Sequence, residues 1–221
     1  MGALMWAAWF CRNKVIFNNE RVNVVLVAAG YAKLVEDYGE YVKKVGCVPV
    51  VGRSNGLVSN AAGWFCPTSG VVKVNVDAYV CAGSMVGLGA VVRDDRGKLL
   101  VAGVKCIPFT TPAIAEGLAA RYGLSIAKRF GFNIVHVESD ATSVIRGVQG
   151  KRRGMTPTHL IYEDIRHDKA FFDVCVFSHV RRACNTVAYH IARWDTGTCD
   201  ELVCTEPFPQ STITLAELDL I

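Results

Sequence analysis

The sequence predicts a mixed α/β fold, a sheet with both parallel and antiparallel strand pairs flanked by helices. Three observations predict it. From about residue 71 the apolar pattern runs strand, strand, strand, helix, strand, helix, strand, helix. The turn sequence Asp94-Asp95-Arg96-Gly97 separates two of the early strands and marks a hairpin. Thr111-Pro112 then opens a long helical segment that Gly131 closes, so helices enter only after the first strands have paired.

Taken in order, Val71 to Val80 alternates apolar and polar residues as a half-buried strand does. Met85 to Arg93 is glycine-rich but strand-like, and Lys98 to Lys105 returns after the turn, so the three form an antiparallel meander. A helix follows from Pro112 to about Phe130, with Pro near its first turn and Gly just past its end. Ile134 to Glu138 reads as a buried strand, and Asp140-Ala141-Thr142 as the start of the next helix. After Gly150 to Pro157 come another helix, a strand over Asp173 to Ser178, and a final helix from about Cys184 to Trp194. This mixture implies a sheet with both kinds of pairing.

Outside that core the chain changes character. Residues 1–45 hold two stretches with helical spacing. Residues 46–70 carry the Gly, Pro, Ser and Asn of a connector. The domain itself is expected over 71–194, with 195–221 a flexible tail. A chain of 221 residues, 51% hydrophobic, can bury one full core. With 24 Lys+Arg against 20 Asp+Glu, net charge is weak support for a polyanionic partner, so local placement must supply it. The nine cysteines show no C-x-x-C pair and no zinc-type spacing, which implies reduced thiols in an intracellular protein, nuclear or cytoplasmic. The apolar start lacks a basic region before it and meets Arg12 and Lys14 early, unlike a secretory signal, and no apolar run is long enough to span a membrane.

The chemistry concentrates in three acids. Asp77 follows Lys73-Val74-Asn75-Val76, Glu116 lies near the start of the long helix, and Asp140 closes the strand Ile134 to Ser139, so the elements aim all three at one point. Converging carboxylates hold hard cations such as Mg²⁺ or Mn²⁺, and two such ions about 4 Å apart can activate water and stabilise a leaving oxygen on a phosphodiester. Taken singly, Asp77 is also compatible with a turn residue and Asp140 with a helix N-cap.

The runs Lys73-Val74-Asn75-Val76-Asp77-Ala78, Gly87-Leu88-Gly89-Ala90-Val91-Val92-Arg93-Asp94, Ala115-Glu116, Glu138-Ser139-Asp140 and His179-Val180-Arg181 with Asn185 and Ala188 occur in order, downstream of Trp64. Together they closely resemble the plant ribonuclease H-like domain of non-LTR retrotransposon reverse transcriptases, over about residues 64–194. The resemblance implies a ribonuclease H-like fold with a five-stranded mixed sheet, a two-metal site and hydrolysis of the RNA strand of an RNA·DNA hybrid. It assigns metal ligation to Asp77, Glu116 and Asp140, and a mobile proton-carrying role to His179, for which a strand-end histidine bonded to backbone is the structural alternative.

One position departs from the pattern. Four residues after Asn185 the family's enzymes place a fourth metal-ligating Asp, and this chain has Tyr189. A phenol is a poor Mg²⁺ ligand at neutral pH, so the second ion would be held weakly. Substrate binding by backbone contact is assigned to Arg181, Arg182, Asn185 and Gly87, with Arg121, Lys128, Arg129 and Lys151-Arg152-Arg153 as further basic candidates. Two readings stand: a metal-dependent hybrid nuclease, and a catalytically weak or inactive nucleic-acid-binding module domesticated from a retrotransposon.

Overall fold

The structure, a computed structural model, describes residues 63–80, 85–150, 154 and 156–220. The helical expectation for residues 1–45, most of the 46–70 connector and the basic run 151–153 lie outside the described residues.

The element order is β1 (Val72–Val80), β2 (Val86–Arg93), β3 (Leu99–Ile107), α1 (Pro112–Arg129), β4 (Ile134–Ser139), α2 (Thr142–Gln149), α3 (Pro157–Asp168), β5 (Val174–His179), α4 (Thr186–Ile191), β6 (Glu201–Cys204) and α5 (Gln210–Leu218). The strands form one sheet in the order β5-β4-β1-β2-β3-β6. β1, β2 and β3 form the antiparallel meander, β4 joins β1 in parallel, and β5 joins β4 in parallel. The mixed α/β class is therefore as expected.

Two expectations are corrected. The sheet has six strands where five were expected, because Glu201–Cys204 pairs antiparallel with β3, Lys105 opposite Glu201. The stretch 195–221, expected to be a flexible tail, supplies both β6 and α5. Phe208 and Ala216 are buried there, packed with Val91, Leu99, Ala102 and Val104 of the sheet and with Val187, Ala188 and Ile191 of α4, and Thr212 is buried as well. Fully burying a side chain such as that of Phe208 contributes about 1.5–3 kcal/mol, which helps to order a segment that propensity leaves unmarked. Trp64, within the 46–70 stretch, is buried.

Alternation along β1 decides what each face does. Val74 and Val76 point into the larger core, shared with Ala119, Ala120, Leu124 and Ile126 of α1. Lys73, Asn75 and Asp77 therefore face the other side, where α4 lies. Backbone punctuation holds the frame. Asp94 Oδ1 accepts from the Arg96 and Lys98 N–H groups at 2.9 and 2.8 Å, and Gly97 turns the hairpin at φ +79°. At the end of α1, Gly131 adopts φ +73° while its N–H donates to the Lys128 carbonyl and that of Phe132 to the Ala127 carbonyl.

The glycines of β2 have a packing role. A Cβ on Gly87 would sit 2.0 Å from the Ala192 carbonyl oxygen, and one on Gly89 2.5 Å from the Ala192 nitrogen. The expectation that Gly87 admits a nucleic-acid backbone is thus corrected: the backbone it admits is that of the turn ending α4.

Candidate active site

Strand β1 runs through the middle of the sheet between β4 and β2, and Asp77 lies within it opposite Gly89, only 3% exposed. A buried strand residue is no turn residue. Glu116 enters from α1, one turn in from Pro112. Asp140 follows the last residue of β4, and Ala141 is the N-cap of α2, so Asp140 is not spent on capping. Ligand atoms of Asp77, Glu116 and Asp140 all lie within 4.8 Å of one another. Among the described residues they form the one group of three or more His, Cys, Asp or Glu that could jointly hold a metal ion.

The electrostatics show the cost of that arrangement. Burial, then the neighbouring Asp140 charge, pushes the Asp77 carboxyl up to about 6, against the opposing pull of the Ala78 N–H, Arg182 and Arg193. Burial and then the charges of Asp77 and Asp140 push Glu116 up to about 8. Glu116 Oε2 is buried with no hydrogen-bond partner. Three hard carboxylate donors around an orphaned buried oxygen fit a divalent cation of the Mg²⁺ or Mn²⁺ type, which would relieve the mutual repulsion and satisfy that oxygen.

A polar network below the acids fixes β1. Asn75 Nδ2 donates to Glu138 Oε2 at 3.0 Å, and Trp64 Nε1 and Arg93 Nη2 both donate to Asn75 Oδ1, at 2.9 and 3.2 Å. Lys73 pairs with Glu138 at 2.9 Å. Asn185 is 1% exposed; its Nδ2 donates to the Val76 carbonyl at 2.9 Å and its Oδ1 accepts from Asn75. The expectation that Asn185 binds nucleic acid is corrected on that ground: the amide is consumed inside the fold, holding the strand that carries Asp77. Arg93, fully buried against Trp64 and Asp219, is a member of this network that sequence reasoning missed.

His179, the last residue of β5, is exposed, and its Nε2 lies 3.2 Å from the Asp140 main-chain oxygen, so it sits beside the acids. His136 is half-buried and bonds Ser178 Oγ. Of the basic candidates, Arg121 pairs with Asp164 and Asp168, Arg129 pairs with Glu201, and Lys128 lies over the Phe171 ring. Arg181 and Arg182 are exposed, and Arg182 Nε approaches Asp140 Oδ2 at 3.9 Å. Tyr189 stands one turn along from Asn185, half-buried, with the Arg193 guanidinium 3.9 Å from its ring centre.

A family model described as reverse transcriptase-like matches residues 75–195, a span that contains all three acids and Tyr189. The chain belongs to that family. The fold of this reverse transcriptase-like domain is similar to that of RNase H1 from the halophilic archaeon Halobacterium salinarum, with 24% identity over 55% of this chain and 93% of the other and a TM-score of 0.52. It is likewise similar to an RNase H1 isolated from compost, with 26% identity, 55% and 92% coverage and a TM-score of 0.50. The N-terminal RNase H domain of a Mycobacterium tuberculosis protein aligns over 68% of this chain and 99% of its own, at 21% identity and a TM-score of 0.51. No curated protein matches the chain. No helix among the described residues is long and apolar enough to cross a membrane.

Proposed function

We propose that this chain is a divalent-metal-dependent nuclease that hydrolyses the RNA strand of RNA·DNA hybrids. The observation that carries the reading is the meeting of Asp77, Glu116 and Asp140 within 4.8 Å around an unpartnered, buried Glu116 oxygen. Asp77 is the central ligand, with Glu116 and Asp140 closing on it from α1 and from the end of β4. A Mg²⁺ or Mn²⁺ ion bound there would acidify a water molecule and neutralise charge on the departing oxygen. The protein's own contribution is to hold the carboxylates rigidly: the Asn75–Asn185–Glu138 network pins β1, and Gly87 and Gly89 seat α4 against the sheet. His179, exposed beside Asp140, carries protons to or from the reacting oxygens.

Descent from a plant non-LTR retroelement is part of the same reading, supported by the ordered motifs from Lys73 to Ala188. Residence inside the cell is supported by the six described cysteines, all free. A second reading, a nucleic-acid-binding module without catalysis, is favoured by one observation: Tyr189, at the fourth acidic position, is engaged with Arg193 and offers no carboxylate.

The deciding experiment is cleavage of a labelled RNA·DNA hybrid by the full chain in Mg²⁺ and in Mn²⁺, with Asp77→Asn alongside. Cutting by the wild type and not by the variant is the expected result. An intact hybrid that is nevertheless bound by folded protein would replace the nuclease with the silent module.

A further inference from the structure

Four side chains alternate at the rim of the acid cluster: Tyr79, Arg193, Tyr189 and Arg182. The Arg193 guanidinium lies 4.3 Å from the Tyr79 ring centre and 3.9 Å from that of Tyr189. Arg182 lies 5.6 Å from the Tyr189 ring and reaches toward Asp140. Tyr79 is two residues beyond Asp77 on β1 and so shares its face. Arg193 follows α4, whose seat on Gly87 and Gly89 fixes its place.

A guanidinium held against ring faces keeps its in-plane N–H edge free, and that edge matches two oxygens of a phosphate. Other described arginines are differently employed: Arg121, Arg129 and Arg166 pair with carboxylates, and Arg182 stands 3.9 Å from Asp140. Arg193 is exposed, and among the described residues it makes no ion pair. Three carboxylates repel an approaching phosphodiester, so a pre-oriented cation beside them answers a need that the acids create. At the position where a fourth carboxylate would add to that repulsion, this chain places the ring that orients the cation.

We propose that Arg193, clamped between Tyr79 and Tyr189, binds a backbone phosphate of the hybrid next to the Asp77–Glu116–Asp140 cluster, with Arg182 extending the same cationic track. Tyr189 is then a positioning residue for Arg193, and its presence is a change of device. This inference rests on the hybrid as substrate, the reading given under Proposed function.

The test is binding of a fluorescent RNA·DNA hybrid by the full chain without divalent cation, over a range of salt concentrations, so that cleavage plays no part in the readout. Arg193→Gln should weaken binding about equally for all sequences and lower the slope of log K against log salt by about one. Arg193→Lys should keep most of the slope while losing affinity. Tyr189→Phe should bind like the wild type, and Tyr189→Asp more weakly, because the new carboxylate captures Arg193 and repels phosphate. A wild-type slope in Arg193→Gln, or tighter binding by Tyr189→Asp, would overturn the inference and leave the nuclease reading standing. A wild type that binds no hybrid would overturn both.

Discussion

Arg93 Nη1 lies 2.8 Å from Asp219 Oδ2, joining the second strand of the sheet to the C-cap of α5 across 126 positions of sequence. The Arg93 side chain is fully buried and that of Asp219 is 8% exposed; Thr186 Oγ1 donates to the other Asp219 oxygen at 3.2 Å. Residue 219 lies beyond the 75–195 stretch that the family model matches, so the C-terminal segment completes the charge balance beneath β1. Asp219→Ala leaves the Arg93 charge without its ion-pair partner in the interior, and removing one partner of a buried pair costs about 3–5 kcal/mol. Urea unfolding should show that loss. Arg93→Met with Asp219→Leu, which removes both charges, should recover most of it, and a double variant no more stable than Asp219→Ala would refute the account.

Stability without metal should fall as pH rises. Asp77 and Glu116 have folded-state pKa values of about 6 and about 8, above the ordinary 3.8 and 4.5. Such acids bind more protons folded than unfolded, so their contribution is full below the ordinary values and is lost as pH passes the folded ones. His136, whose pKa burial lowers, has the opposite slope, but only below its ordinary 6.5. Between pH 6.5 and 8.5 Glu116 therefore dominates, and the loss should be about 1–2 kcal/mol, read as a drop of a few degrees in Tm. Glu116→Gln should flatten this slope. Saturating Mg²⁺ should raise Tm at pH 8.5 in the wild type and not in Asp77→Asn, by preferential binding to the folded state.

The sheet, the hairpin and the three acids were legible because local rules produce them. Alternation exposes β1, Asp94 and Gly97 write the turn, and Pro112 and Gly131 bracket α1. What was not legible depends on partners distant in sequence. Glu201–Cys204 is a four-residue edge strand with no strong pattern of its own, ordered by the free edge of β3. Gly87 and Gly89 look alike whether a nucleic acid or a helix approaches them, and only the position of Ala192 decides. Asn185 sits in a recognisable motif, yet the carbonyl of Val76 that occupies it cannot be read from that motif. Tyr189 reads in one dimension as a lost acid; its contact with Arg193, and through it with Tyr79, exists only in three.

Gly89→Ala tests the seating of α4. Its new Cβ would meet main-chain atoms, the Ala192 nitrogen at 2.5 Å and the Ala188 oxygen at 2.7 Å, which cannot rotate away. Overpacking of this kind costs about 1–3 kcal/mol. Because Arg193 follows Ala192, hybrid affinity should fall along with Tm. Gly63→Ala, where the added carbon meets nothing within 4 Å, should leave both unchanged.

His179 is exposed, and the Asp140 carbonyl 3.2 Å from its Nε2 can only accept. Nε2 therefore carries the hydrogen and Nδ1 is the free nitrogen of the neutral ring. Two roles follow from that geometry, a proton carrier and a prop for the Asp140 backbone, and they separate on substitution. His179→Ala should leave Tm within about 0.5 kcal/mol equivalent of the wild type, as surface changes do. It should lower kcat for hybrid cleavage about 100-fold with little change in KM. His179→Gln can still donate to the Asp140 carbonyl but cannot exchange a proton near neutral pH. A carrier predicts that Gln is as slow as Ala. A prop predicts wild-type rates for Gln, and that outcome would remove His179 from the chemistry.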